Sequence, residues 1–263
     1  MTAQSSGIEL EDERLQDEVW GDWSVVGKCF RRLDSLSEMD RQTVARGETL
    51  VSRVMIADNL LWGSVFRYEA LLSPEALAAV FSDYAGQWRY VPGMPVTEVI
   101  GQRGNLHRVF HRINPVTFIA PQAQSRWPAW LYNRLTYSYE LDEEVFPQSS
   151  NSGLGYSIRW TIPLETQVLG ARENGEICFT PMQGGTLITY NNATEPFGYR
   201  KLQGMMPRRL LTRVYRSLGG IASDYYQRTV NNFVDVMSTL AEQEIQTEIM
   251  RLRGALEDSG GRG

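Results

Sequence analysis

The sequence predicts an α+β fold: a curved antiparallel sheet wrapped around a long C-terminal helix, with an extra helical segment at the N-terminus. Three observations predict it. Apolar residues recur in steps of three and four from Val19 to Leu33 and again from Leu210 to Leu252, which is helical spacing. Between these zones, roughly over 58–198, they alternate with polar residues as strands require. The last helix also needs an apolar surface to cover, and only the middle zone offers one. The chain therefore reads as a helical extension over 1–57, one domain over 58–257 and a disordered tail over 258–263.

The elements follow in order. The N-terminal zone is acidic, with Glu9, Glu11, Asp12, Glu13, Asp17 and Glu18 opposed only by Arg14, and predicts helices near 12–34 and 38–46. Ser37 ahead of Glu38 and Asp40 is an N-cap followed by first-turn acids. An extended entry covers 48–56, and a strand over 60–69 carries Trp62, Ser64, Phe66 and Tyr68 on one face. Ser73-Pro74-Glu75 starts a helix bearing Leu77, Val80, Phe81 and Tyr84. Strands at 96–101 and 106–113 flank a turn at 102–105. The next strand, 131–141, aligns Leu131, Leu135, Tyr137, Tyr139 and Leu141 on one face; after a loop at 148–155, Tyr156, Ile158, Trp160 and Ile162 alternate in another. Asn174-Gly175 and Gly184-Gly185 are hairpin signals ahead of two further strands. The C-terminal zone starts as a helix, is interrupted at Gly219-Gly220, and resumes over 221–256. A continuous helix of about 35 residues would reach roughly 50 Å, so its end is expected to project.

Composition narrows the function. With 26 basic and 31 acidic residues the net charge is −5, which argues against general nucleic-acid binding. Two His and two Cys leave little room for a His- or Cys-based metal site, so neither a metal nor a cofactor is expected. His107 and His111 are four apart, but in a strand their Cα atoms lie about 13 Å apart, too far to chelate together. Cys29 and Cys178 make no disulfide framework, although a single bridge is an open alternative. No apolar run is long enough to cross a membrane as a helix, and the N-terminus lacks a signal-peptide pattern; the chain as given reads as cytoplasmic, or periplasmic if a signal was removed.

The order of elements resembles the helix-grip fold of the START and Bet v 1-like superfamily, also called SRPBCC or polyketide cyclase-like. The segment at 63–95, GSVFRYEALLSPEALAAVFSDYAGQWRYVPGMP, looks like that family's first strand, helix pair and turn into strand two. GYSIRWTIPL and GEICFTPMQGGTLITYNNATEPF, with the final helix after them, match its later strands, and LSEMDRQTVARGETLV resembles a lead-in found in some bacterial members. The resemblance implies a cavity for a hydrophobic ligand between sheet and last helix, as in lipid-binding and lipid-transport members; it carries no invariant catalytic motif.

On that basis Trp62, Phe66, Tyr68, Leu135, Tyr137, Tyr139, Ile158 and Trp160 are candidate cavity-lining residues, weighed against an ordinary filled core. Arg108 is a candidate for orienting a polar ligand group, weighed against a solvent-facing pair; Arg67 with Glu69 is read as such a pair. Arg208, Arg209, Arg213 and Arg216 lie in a stretch without acids and are candidates for approach to an anionic membrane, weighed against a solvated outer face. No catalytic residue is assigned. The leading expectation is a carrier or transfer protein for a lipid, sterol-like or polyketide-like molecule. The alternative is an aromatase/cyclase-type enzyme with Arg108, Tyr137 and Tyr139 as first candidates. A third is a homodimer formed through the terminal helices.

Overall fold

The structure is a computed structural model that describes residues 33–56, 60–94, 96–114, 137–163, 172–195 and 207–260; the side chains of 53–56, 60–63, 137, 172, 194–195, 208–223 and 259–260 lie outside that description. The strands are β1 (Leu50–Ile56), β2 (Leu60–Glu69), β3 (Val96–Arg103), β4 (Leu106–Ile113), β5 (Tyr137–Ser150), β6 (Gly153–Thr161), β7 (Arg172–Met182) and β8 (Gly185–Glu195). They form one 8-stranded antiparallel sheet in the order β1-β2-β8-β7-β6-β5-β4-β3. The described helices are α1 (Glu38–Ala45), α2 (Pro74–Phe81), α3 (Arg208–Thr239) and α4 (Glu242–Gly260), with a 3-10 helix at Tyr84–Arg89 after α2. The expected α+β helix-grip architecture is the one observed.

Local chemistry accounts for the helix starts. The Ser37 hydroxyl accepts the Asp40 N–H, and the Ser73 hydroxyl accepts the Ala76 N–H with Pro74 opening the first turn of α2. The two sheet faces have different partners. The inner face packs Val65, Tyr139, Leu141, Val145, Tyr156, Ile158, Trp160, Ile177, Phe179, Ile188 and Tyr190 against α2, α3 and α4. The outer face packs Phe66 and Leu187 against Leu36 and Val44 of the α1 region. Phe81 of α2 and Phe233 of α3 meet at 5.3 Å between ring centroids, edge to face, in the middle of the inner core.

Four expectations are corrected. The helix runs through Gly219 and Gly220 without a break, because core anchors such as Tyr226, Val230 and Phe233 outweigh the roughly 1 kcal/mol that each glycine costs. It ends at Thr239 instead of projecting: Leu240 is extended, the Glu244 carboxylate accepts the Ala241 N–H at 3.0 Å, and a new helix begins. That helix, α4, folds back onto α2, burying Ile249 and Leu252 and pairing Arg253 with both Glu75 oxygens at 2.6 and 2.7 Å; it extends to Gly260, into the expected tail. The loop expected at 148–155 is only a turn at Asn151 and Ser152, after which Gly153 sits at φ 127°. Asn174 and Gly175 form no turn but lie inside β7, opposite Thr161 and Trp160. The Gly184-Gly185 signal does mark a hairpin, with Met182 paired to Gly185 and Gly184 at φ 82°.

Candidate functional site

Face assignment sorts the predicted residues. Tyr139, Ile158 and Trp160 are on the inner face and buried. Phe66 and Tyr68 belong to the outer cluster under α1, so the expectation that they point into the grip is corrected: successive residues of β2 alternate sides, and it is Val65 that faces α3. Arg108 is also on the outer side, where its guanidinium grips Asp142 of β5 through two bonds of 2.7 and 2.9 Å, partly exposed to solvent. Arg67, expected to face solvent, points to α3 instead, donating to Asn231 Oδ1 at 2.7 Å and to Glu69. Leu135 lies outside the described residues. So do the side chains of Trp62, Tyr137, Arg208, Arg209, Arg213 and Arg216, whose backbones are in β2, β5 and α3.

The described inner face is aromatic and densely packed, yet it carries polar groups. Trp160 Nε1 and Asn192 Nδ2 both donate to Glu173 Oε1, at 3.1 and 2.9 Å, and burial raises the Glu173 acid above its ordinary range. His111 stacks on Tyr139 with ring centroids 5.4 Å apart and sets Nδ1 3.0 Å from the Met94 sulfur; burial pushes it down to about 3, so it is neutral. His111 Nε2 and Asn192 Oδ1 have no hydrogen-bond partner among the described residues.

Three further polar side chains converge where β4 and β5 meet the 3-10 helix. His107 and Glu143 are directly opposite one another across the two strands, on the inner face. The Tyr84 ring lies 5.3 Å from the His107 ring. Tyr84 and Glu143 are each only 2% exposed and His107 8%. Tyr84 Oη, His107 Nδ1 and Glu143 Oε1 make no hydrogen bond of good geometry among the described residues, although Tyr84 and Glu143 lie close enough to perturb one another. Burial pushes the Glu143 carboxyl up to about 8, with the Tyr84 hydroxyl pulling weakly the other way. Burial, then the charge of Glu143, raises Tyr84 well above its ordinary value, and burial, then the charge of Arg251, lowers His107. At neutral pH the trio is thus predominantly uncharged. Each member can then both donate and accept a hydrogen bond.

His107 is the member of the trio that lines a cleft of about 290 Å³ between α4 and the β3–β4 hairpin, together with Asn105, Val145, Met250, Arg251 and Leu252 among others. The Arg251 guanidinium at its wall is already engaged by the Ser82 carbonyl and the Glu248 carboxylate, both at 2.7 Å. Sequence reasoning missed Glu143 and Tyr84 as site residues. The signal was present for Glu143: continuing the alternation of Tyr137, Tyr139 and Leu141 places an acid next in an otherwise apolar row. Ending that strand at 141 hid it.

No protein-family model matches the chain, and no curated protein matches it in sequence. Solved structures do match in fold. Human STARD10 is 12% identical with a TM-score of 0.50, the match covering 87% of this chain and 82% of that one. A fragment of a STAR-related lipid transfer protein from Xanthomonas axonopodis is 12% identical over 70% of this chain and 90% of its own, at a TM-score of 0.47. The Zhui aromatase/cyclase from Streptomyces sp. R1128 is 9% identical over 66% and 93%, at 0.39. The likeness is one of fold: the START-like helix-grip arrangement.

Proposed function

We propose that the protein binds a hydrophobic small molecule between the sheet and the C-terminal helices and acts as its carrier. The observation that carries this reading is a set of buried polar atoms, on and beside a largely apolar inner face, that lack a hydrogen-bond partner of good geometry among the described residues: Tyr84 Oη, His107 Nδ1, His111 Nε2, Glu143 Oε1 and Asn192 Oδ1. Buried polar groups are paired in the great majority of native structures, because an unmet one costs roughly 1–3 kcal/mol. A ligand that buries apolar surface here at about 25 cal/mol per Å² and brings its own polar atoms supplies both the driving force and the missing partners. Native mass spectrometry of the purified protein, followed by organic extraction, tests the reading. The expected result is a bound or titratable hydrophobe of small-molecule mass; a chain that neither carries nor takes up any such compound would sink it.

A second reading, an aromatase/cyclase-type enzyme, is favoured by one observation. Glu143 sits near neutrality, directly across from His107 and next to Tyr84, the kind of environment that tunes a general acid or base. Arg108, its first candidate, pairs with Asp142 on the outer face, so the role would pass to the inner trio. Turnover of a β-polyketone substrate, abolished by Glu143→Gln, separates this reading from a carrier, which converts nothing.

A further inference from the structure

The cleft beneath α4 has two features that belong together. Its wall is apolar where Val99, Val145, Leu252 and Leu256 line it, and it touches His107, whose neighbours Tyr84 and Glu143 are buried beside it and do not themselves line the cleft. We infer that Tyr84, His107 and Glu143 form a polar anchor that selects ligands whose head is an uncharged hydrogen-bonding group, a ketone or an alcohol, over ligands ending in a carboxylate or an ammonium. The inference rests on the hydrophobic-ligand reading above and names the ligand class that site takes.

The argument is one of charge and pairing. The trio offers a protonated carboxyl, a neutral imidazole and a phenol, each more than nine-tenths buried and each with a polar atom that lacks a hydrogen bond of good geometry among the described residues. A carbonyl accepts from Tyr84 or Glu143, and a hydroxyl can donate and accept, so either satisfies groups that are otherwise unmet. A charged head brings a desolvation cost that only a counter-charge offsets. The cation that lines the cleft, Arg251, is committed to Glu248 and to the Ser82 carbonyl. Asp258 at the mouth and Glu248 beside Arg251 add negative charge that opposes a carboxylate but lies outside the buried anchor.

Calorimetric titration of the full chain at about pH 7 with decan-2-one, decan-1-ol, decanoate and decylammonium tests it. The ketone and the alcohol are expected to bind roughly tenfold or more tightly than either ion. Tyr84→Phe, which removes one oxygen, and Glu143→Leu are expected to narrow that preference to about twofold. Glu143→Gln, a neutral donor and acceptor of the same shape, should retain it. Decanoate or decylammonium binding as tightly as the ketone overturns the anchor, as does a preference untouched by Tyr84→Phe. If the four probes fail while extraction still recovers a bound hydrophobe, the anchor fails and the carrier reading stands. If no hydrophobe binds at all, both fall.

Discussion

The indole of Trp160 in β6 lies over the backbone of Gly175, its partner in β7, so closely that a Cβ on Gly175 would sit 2.0 Å from the ring. The same indole donates to the buried Glu173 carboxylate. Gly175→Ala is therefore expected to destabilise the fold by about 2–4 kcal/mol, since ring and strand must separate and the Glu173 bond is strained with them. Denaturant unfolding reads the loss. In a Trp160→Ala background the same substitution should cost under about 1 kcal/mol, because the steric conflict is gone.

Phe66 is fully buried between β2 and the α1 region, among Leu36, Val44 and Leu187. Phe66→Ala should cost about 3–5 kcal/mol of stability while leaving uptake of a hydrophobe by the folded protein unchanged. Loss of uptake in a variant that still unfolds cooperatively would show that the outer face takes part in binding.

These two residues also show what was legible in the sequence. Periodicity and capping signals located most of the described strands and the helical zones, because they are written locally, but they set the break of the C-terminal helix at Gly219-Gly220 and missed the one at Leu240. Periodicity could not say which side of β2 meets which helix: the aromatic face of Trp62, Phe66 and Tyr68 reads as the one toward the last helix, but helices lie on both sides of this strand and alternation alone has no sign. Gly175 misled for the same reason: an Asn-Gly pair is a turn signal in isolation, and only the position of Trp160, fifteen residues earlier, explains a glycine inside a strand. The candidate site was the least legible part. Tyr84, His107 and Glu143 come from three elements and meet only through the β4–β5 register and the packing of the 3-10 helix against it.

The return of α4 onto α2 joins an apolar contact to an exposed ion pair, and the two are expected to weigh differently. Leu252→Ala, at a buried position, should cost about 2–4 kcal/mol, whereas Arg253→Ala, whose guanidinium is largely exposed, should change global stability by under about 1 kcal/mol. Hydrogen exchange distinguishes the consequences: Leu252→Ala should deprotect α4 well before α3.

Glu143 and His111 share the inner face and pull stability with pH in opposite senses. Burial raises Glu143 from 4.5 to about 8, so the folded chain holds that proton more tightly than the unfolded one; this stability is complete below about 4.5 and drains away as pH rises through 8. Burial lowers His111 from 6.5 to about 3, so its contribution is complete above 6.5 and is lost as pH falls through 3. Glu143→Gln should flatten the decline between about pH 5 and 8, a limb that one proton can tilt by at most roughly 1.4 kcal/mol per pH unit. Denaturant midpoints across that range measure it, and an unchanged slope in the variant would assign the limb to other groups.

Tyr84 sets stability against binding most directly. Its ring packs beside His107 and its buried hydroxyl meets the Glu143 carboxyl only at poor hydrogen-bond geometry, so the desolvation of the oxygen outweighs what it gains in the unliganded fold. Tyr84→Phe keeps the ring and removes the oxygen. It should raise the unfolding free energy by about 1 kcal/mol while weakening decan-2-one several-fold. A ligand that meets the hydroxyl offsets its cost only when bound, so added ketone should stabilise the wild-type chain more than the variant. Thermal unfolding with and without the ketone reads both effects in one experiment. A Tyr84→Phe chain less stable than wild type would mean that the hydroxyl is already paired in the unliganded fold, and the anchor would lose its driving force.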